Sequence, residues 1–143
     1  MTIAVDFDGT IVEDRYPEIG SEKPFATETL RMLIQERHKI ILWSVREGEC
    51  LDEAVQWCKE RGIEFYAVNK DYPEEKVEFN NHFSRKIKAD IFIDDRNIGG
   101  LPDWGTIYRM LKENRSLRDV IKETLTMSID STQAPKKKHW WQH

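Results

Sequence analysis

The segment "TIAVDFDGTIVED" places two carboxylates, Asp6 and Asp8, where an apolar run gives way to a glycine and a threonine. Two ionised carboxylates held close together repel, and one of them stays protonated unless a cation offsets the charge. Far along the chain, "ADIFIDD" repeats the pattern, an apolar run ending in Asp94 and Asp95. Asp6 and Asp8 joined by Asp94 or Asp95 would make a hard, oxygen-only site. Mg²⁺ is its natural occupant, because it takes one or two carboxylates and leaves its other positions to water and a phosphate. The calcium-hand alternative fails on spacing, since Gly9 stands fourth from Asp6 where that loop needs its glycine sixth. A hydroxyl and a guanidinium extend the set: Ser44 closes the apolar "KIILWS", and Arg46, two residues on, is suited to a bidentate contact with a substrate or a carboxylate.

Groups so far apart in sequence need a frame that brings them together. A short strand is expected at about 3–7, followed by a helix through "KPFATETLRMLIQERHK", with Phe25, Leu30, Leu33 and Ile34 at helical spacing and Pro24 in the first turn. The nearly all-apolar run 39–44 reads as a parallel strand covered on both faces. "CLDEAVQWCKERG" gives a helix that Gly62 ends, "EFYAV" (64–68) a third strand and "ADIFI" (89–93) a fourth. Residues 69–88 are polar, with a short helix expected around "PEEKVEF". Helices are expected at about 104–114 and 117–126, the second opened by a Ser116–Asp119 capping pair.

Alternating strands and helices predict a Rossmann-like, three-layer α/β/α sandwich with a mostly parallel sheet. In such sheets ligands bind beyond the carboxyl ends of the strands. Asp6 and Asp8, Ser44, and Asp94 and Asp95 all fall at those ends.

At 143 residues the chain is expected to form one domain over 1–127, followed by a loosely ordered polar and basic tail, 128–143. The 39% hydrophobic and 34% charged content fits a soluble protein, and no apolar run is long enough to cross a bilayer. The first strand begins at once and carries Asp6, so no secretory signal is read and a cytoplasmic protein is expected. A net charge of −4 argues against bulk electrostatic attachment to nucleic acid, which enters only as a substrate. Cys50 and Cys58, eight apart, match no zinc or redox spacing and read as reduced helix residues. A homo-oligomer is compatible with everything in the sequence.

"DFDGT" after an N-terminal strand, Ser44 ending the second, a lysine ahead of the last and "IDD" at its tip together resemble the four motifs of the haloacid dehalogenase superfamily, over roughly residues 2–110. That superfamily is dominated by magnesium-dependent phosphatases. The resemblance implies a nucleophile at Asp6, a general acid and base at Asp8, and Mg²⁺ held by Asp6, the backbone carbonyl of Asp8 and Asp94, with Asp95 orienting the site. Ser44 would donate to a phosphoryl oxygen. Lys86 or, as the alternative, Lys70 would offset the phosphate charge, with Arg46 a further candidate for phosphate binding. The short intervals at 8–24 and between the third and fourth strands leave no room for a folded cap domain, so an open site on a phosphorylated substrate is expected. The rival reading is a non-catalytic protein that keeps the metal site to bind a phosphorylated partner.

Overall fold

The chain runs β1 (Thr2–Val5), β2 (Val12–Arg15), β3 (Glu18–Glu22), α1 (Ala26–Gln35), β4 (Lys39–Leu42), α2 (Gly48–Glu60), β5 (Ala67–Val68), β6 (Ile91–Ile93) and α3 (Trp104–Glu113). This is a computed structural model that describes residues 1–76, 84–116, 118–123 and 125–126. The described residues fall into two compact units that divide between Gly105 and Thr106.

In the first unit, four strands form a sheet in the order β5-β4-β1-β6, and every neighbouring pair is parallel. The steps from β1 to β4 and from β4 to β5 run in the same direction, so right-handed crossovers put α1 and α2 on one face. The two helices are tied there by Arg31 Nη1, which donates to the Arg61 carbonyl at 2.7 Å. Their apolar faces bury Leu30 and Leu33 from α1 and Ala54 and Cys58 from α2. Across the sheet runs a second row, Ala4, Ile41 and Ala67, closed over by Ile87 with Trp43, Tyr66, Ala89 and Phe92 packed around it. The architecture is the predicted Rossmann-like α/β sandwich. The expected helix around "PEEKVEF" is a turn at 73–74, and its residues 77–79 lie outside the described residues.

One element was not expected. The interval between β1 and α1, read as a plain gap, holds an antiparallel hairpin, β2–β3, with a register shift between Val12 and Asp14. Its strands carry few apolar residues, so hydrophobic alternation gives no signal there. Gly20 lets the strands approach: a Cβ added to it would stand 2.1 Å from the Glu13 carbonyl oxygen.

In the second unit, the Ser116–Asp119 capping pair forms as predicted. Ser116 Oγ donates to Asp119 Oδ2 at 2.8 Å, and the Asp119 amide donates back to Ser116 Oγ at 3.2 Å. Helical backbone follows at 118–123. The tail, 128–143, lies outside the described residues.

Candidate active site

Strand register determines which side chains meet. Val5 of β1 lies level with Leu42 on one side and Ile93 on the other. The ladder continues one step beyond the strands: the Asp6 amide donates to the Ile93 carbonyl at 3.0 Å, and the Trp43 amide to the Val5 carbonyl at 2.8 Å. Asp6, Ser44 and Asp94 therefore emerge together at the carboxyl edge of the sheet. With Asp8 they line a recess of about 450 Å³.

The carboxylates of Asp6, Asp94 and Asp95 converge, each offering one oxygen, all within 4.8 Å of one another. Thr10 is buried between two of them. Its hydroxyl lies 3.3 Å from Asp6 Oδ2 and 3.2 Å from Asp95 Oδ1, and it accepts from the Asp95 amide at 3.1 Å. Trp104 Nε1 donates to the Thr10 carbonyl at 2.9 Å and fixes that turn from beneath. Gly9 permits the turn twice over. Its φ is +85°, which side chains rarely adopt, and an added Cβ would stand 2.3 Å from Asp95 Oδ2. Gly9→Ala is therefore expected to displace Asp95, weaken divalent-metal binding at least about tenfold and cost roughly 1–3 kcal/mol; metal titration calorimetry and a denaturation curve check both.

The cluster suits a hard divalent cation, since its donors are all carboxylate oxygens gathered in a partly buried place. Asp6 is pushed up to about 7, first by burial, then by the negative charge of Asp94, with Asp95 adding to the effect. Its value in the unfolded chain is near 3.8, so between the two values the folded chain binds the extra proton. That contribution to stability is complete below the unfolded value and is lost as pH rises through the folded one. Without metal, the protein is expected to lose on the order of 1–2 kcal/mol across this window, allowing for solvent screening. A hard divalent cation should restore most of it at the alkaline end, and thermal melts on either side of the window, with and without the ion, measure both effects.

Asp8 stands apart from the three converging carboxylates. Its side chain is held by Arg46, with Nε donating to Oδ2 at 2.7 Å and Nη2 to Oδ1 at 2.8 Å. Arg46 is fully buried, and its remaining donors go to the carbonyls of Pro17, Glu18 and Cys50 at 3.1, 2.8 and 3.2 Å. All five N–H groups are thus spent on the protein, which leaves none for a phosphate. The Asp8 hydrogen bond keeps this guanidinium more firmly protonated than usual.

Ser44 is well placed. Its amide donates to Asn69 Oδ1 at 2.8 Å, and its hydroxyl oxygen accepts from the Arg46 amide at 3.1 Å, so the hydroxyl proton remains to be donated. Neither lysine lines the recess: Lys86 Nζ sits 5.0 Å over the Phe92 ring, and Lys70 lines a different cavity, with Gln56 and Tyr66. The cations that line the recess are Arg85 and Arg96. Sequence reasoning passed over both, along with Thr10 and Asn69. Thr10 was legible in principle, since a threonine straight after Asp-Gly is placed to reach back to a neighbouring carboxylate. Burial pushes the Cys58 thiol up to about 12, which removes it as a nucleophile, and both cysteines are free as expected. No helix among the described residues is long and apolar enough to cross a membrane.

No family model matches the chain. Over 92 residues, 61% of its length, it is 30% identical to a Bacillus cereus protein that bears the name "Putative nucleotidase", and it spans 46% of that protein. It is also similar to a solved structure of a conserved protein from Bacteroides thetaiotaomicron, at 68% identity and a TM-score of 0.78, over 84% of this chain and 96% of the other. Identity of that degree, over nearly all of the solved chain, makes this protein a member of the same family as the conserved Bacteroides thetaiotaomicron protein.

Proposed function

We propose that the chain is a magnesium-dependent phosphomonoester hydrolase of the haloacid dehalogenase type, contained in a single domain, 1–127, without a cap. The observation that carries this reading is the meeting of Asp6, Asp94 and Asp95 at one edge of the sheet, with Asp8 and Ser44 opening into the same recess. The similarity to a Bacillus cereus protein named as a nucleotidase supports it and puts nucleoside monophosphates first among substrates to try.

Asp6 attacks phosphorus and the P–O bond to the leaving group breaks, giving an aspartyl-phosphate. Asp8, ion-paired with Arg46 in the resting protein, takes up a proton from solvent as the ester binds, gives it to the departing oxygen, then takes one from the water that cleaves the intermediate, releasing phosphate and restoring Asp6. Each Asp8 oxygen keeps a second lone pair beyond its bond to Arg46, and the proton moves through it. Ser44 donates to a phosphoryl oxygen. Positive charge comes from the segment that holds Arg85 and Lys86. Asp6, Asp94 and Asp95 would hold Mg²⁺, which supplies charge neutralisation at the phosphoryl oxygens.

Release of nitrophenol from p-nitrophenyl phosphate and of phosphate from nucleoside monophosphates is expected with Mg²⁺, and should disappear when a chelator removes the ion. Arg85→Met and Lys86→Met, compared in this assay, reveal which cation meets the phosphate: the one that does is expected to raise KM at least about tenfold. The non-catalytic alternative draws support from the Asp8–Arg46 pair, which already engages the carboxylate. Tight phosphate-ester binding with no release across the panel would favour it.

A further inference from the structure

Arg46 stands at the crossing of three elements. Its guanidinium grips Asp8 with two bonds, binds the Pro17 carbonyl in the turn of the β2–β3 hairpin and the Glu18 carbonyl where β3 begins, and reaches the Cys50 carbonyl in the first turn of α2. It also packs near two aromatic rings, 5.1 Å from the centroid of Phe7 and 5.3 Å from that of Tyr16. Phe7 lies between the two site aspartates in sequence, and Tyr16 belongs to the hairpin turn. We propose that Arg46 is a positioning residue that sets the plane of the Asp8 carboxylate and ties it to the β2–β3 hairpin, so that the hairpin's seating governs proton delivery to the leaving group. The proposal rests on the hydrolase reading.

Burying an arginine completely is costly unless every donor is satisfied, and here all five are. A planar fork fixes the orientation of a carboxylate in a way that a lysine ammonium does not, and only the planar group can pack against the Phe7 and Tyr16 rings while doing so. Asp8 needs that orientation, because a proton donor must point at the departing oxygen and has no metal to hold it: the converging carboxylates are those of Asp6, Asp94 and Asp95. The hairpin's hydrogen bonds in this arrangement come from the Pro17 and Glu18 backbone carbonyls alone, with the Tyr16 ring packed beside the guanidinium. The hairpin's geometry, more than its side chains, therefore fixes the arginine.

Leaving groups provide the test. Nitrophenolate departs without a proton, whereas the alkoxide of an alkyl phosphate requires one. Arg46→Lys is expected to lower kcat/KM for an alkyl phosphate at least about tenfold more than for p-nitrophenyl phosphate, with the inhibition constant of inorganic phosphate unchanged. Tyr16→Ala, which leaves the ion pair in place and touches neither metal site nor recess, should show the same bias in weaker form and keeps the test open if the arginine variant does not fold. Equal losses on both esters, or a weakened inhibition by phosphate, would overturn the proposal. Amide hydrogen exchange across β3 is read on the same proteins without substrate: faster exchange in Asp8→Asn supports the tie, and unchanged exchange overturns it, whatever the wild-type protein hydrolyses. Absence of turnover on either ester by the wild-type protein with Mg²⁺ instead defeats the hydrolase reading itself.

Discussion

Asp6→Asn is expected to lower turnover by at least about a thousandfold while melting no lower than the wild-type protein when metal is absent. The first effect follows from chemistry, since an amide cannot attack phosphorus as a carboxylate does. The second follows from the surroundings. Burial and the charges of Asp94 and Asp95 already disfavour the ionised form of Asp6, so an uncharged replacement of the same shape relieves repulsion. The hydrogen bond at risk, from Thr10 at 3.3 Å, is long, and Thr10 keeps Asp95 as an alternative partner. Phosphate-release kinetics and a metal-free thermal melt check the pair, with mass spectrometry to exclude deamidation back to aspartate. Wild-type turnover in the intact variant would remove the nucleophile from the mechanism.

Arg46→Met is expected to produce the largest loss of stability of any single change near the site, about 3–5 kcal/mol. Asp8, whose side chain is only 11% exposed, would be left with an uncompensated charge, and the carbonyls of Pro17, Glu18 and Cys50 would lose a donor each. Adding Asp8→Asn to the same chain should recover part of the loss, because the stranded charge goes with it. Urea denaturation of the single and double variants measures both. A loss below about 1 kcal/mol for Arg46→Met would mean that the pair contributes no more than an exposed ion pair does.

What could be read from the sequence divides along physical lines. Apolar runs that end in charge are legible because a buried parallel strand needs continuous hydrophobicity, and a polar group tolerated at its end must lie at the sheet's edge. Asp6, Ser44 and Asp94 follow directly from that, and so does the order of the helices and parallel strands between them. Boundaries follow less well: the third strand was expected over 64–68 and pairs only at Ala67–Val68. The hairpin had no such signal, for its strands face solvent at Glu13, Asp14 and Arg15 and are held by backbone bonds and a buried guanidinium. Whether Arg46 meets a substrate or a carboxylate was equally open, because both demand the same fork, and only the fold brings Asp8 within reach. Nor does spacing separate Arg85 from Lys86, since in an irregular segment neighbouring side chains have no fixed period to assign them a face.

The alignment of Val5 with both Leu42 and Ile93 has a consequence for how this chain tolerates change in length. One residue inserted into β6 would carry the following side chains to the opposite face of the sheet, and Asp94 would leave Asp6 even though no acidic residue had been altered. Indels should therefore be kept out of the three core strands, whose residue count stays constant.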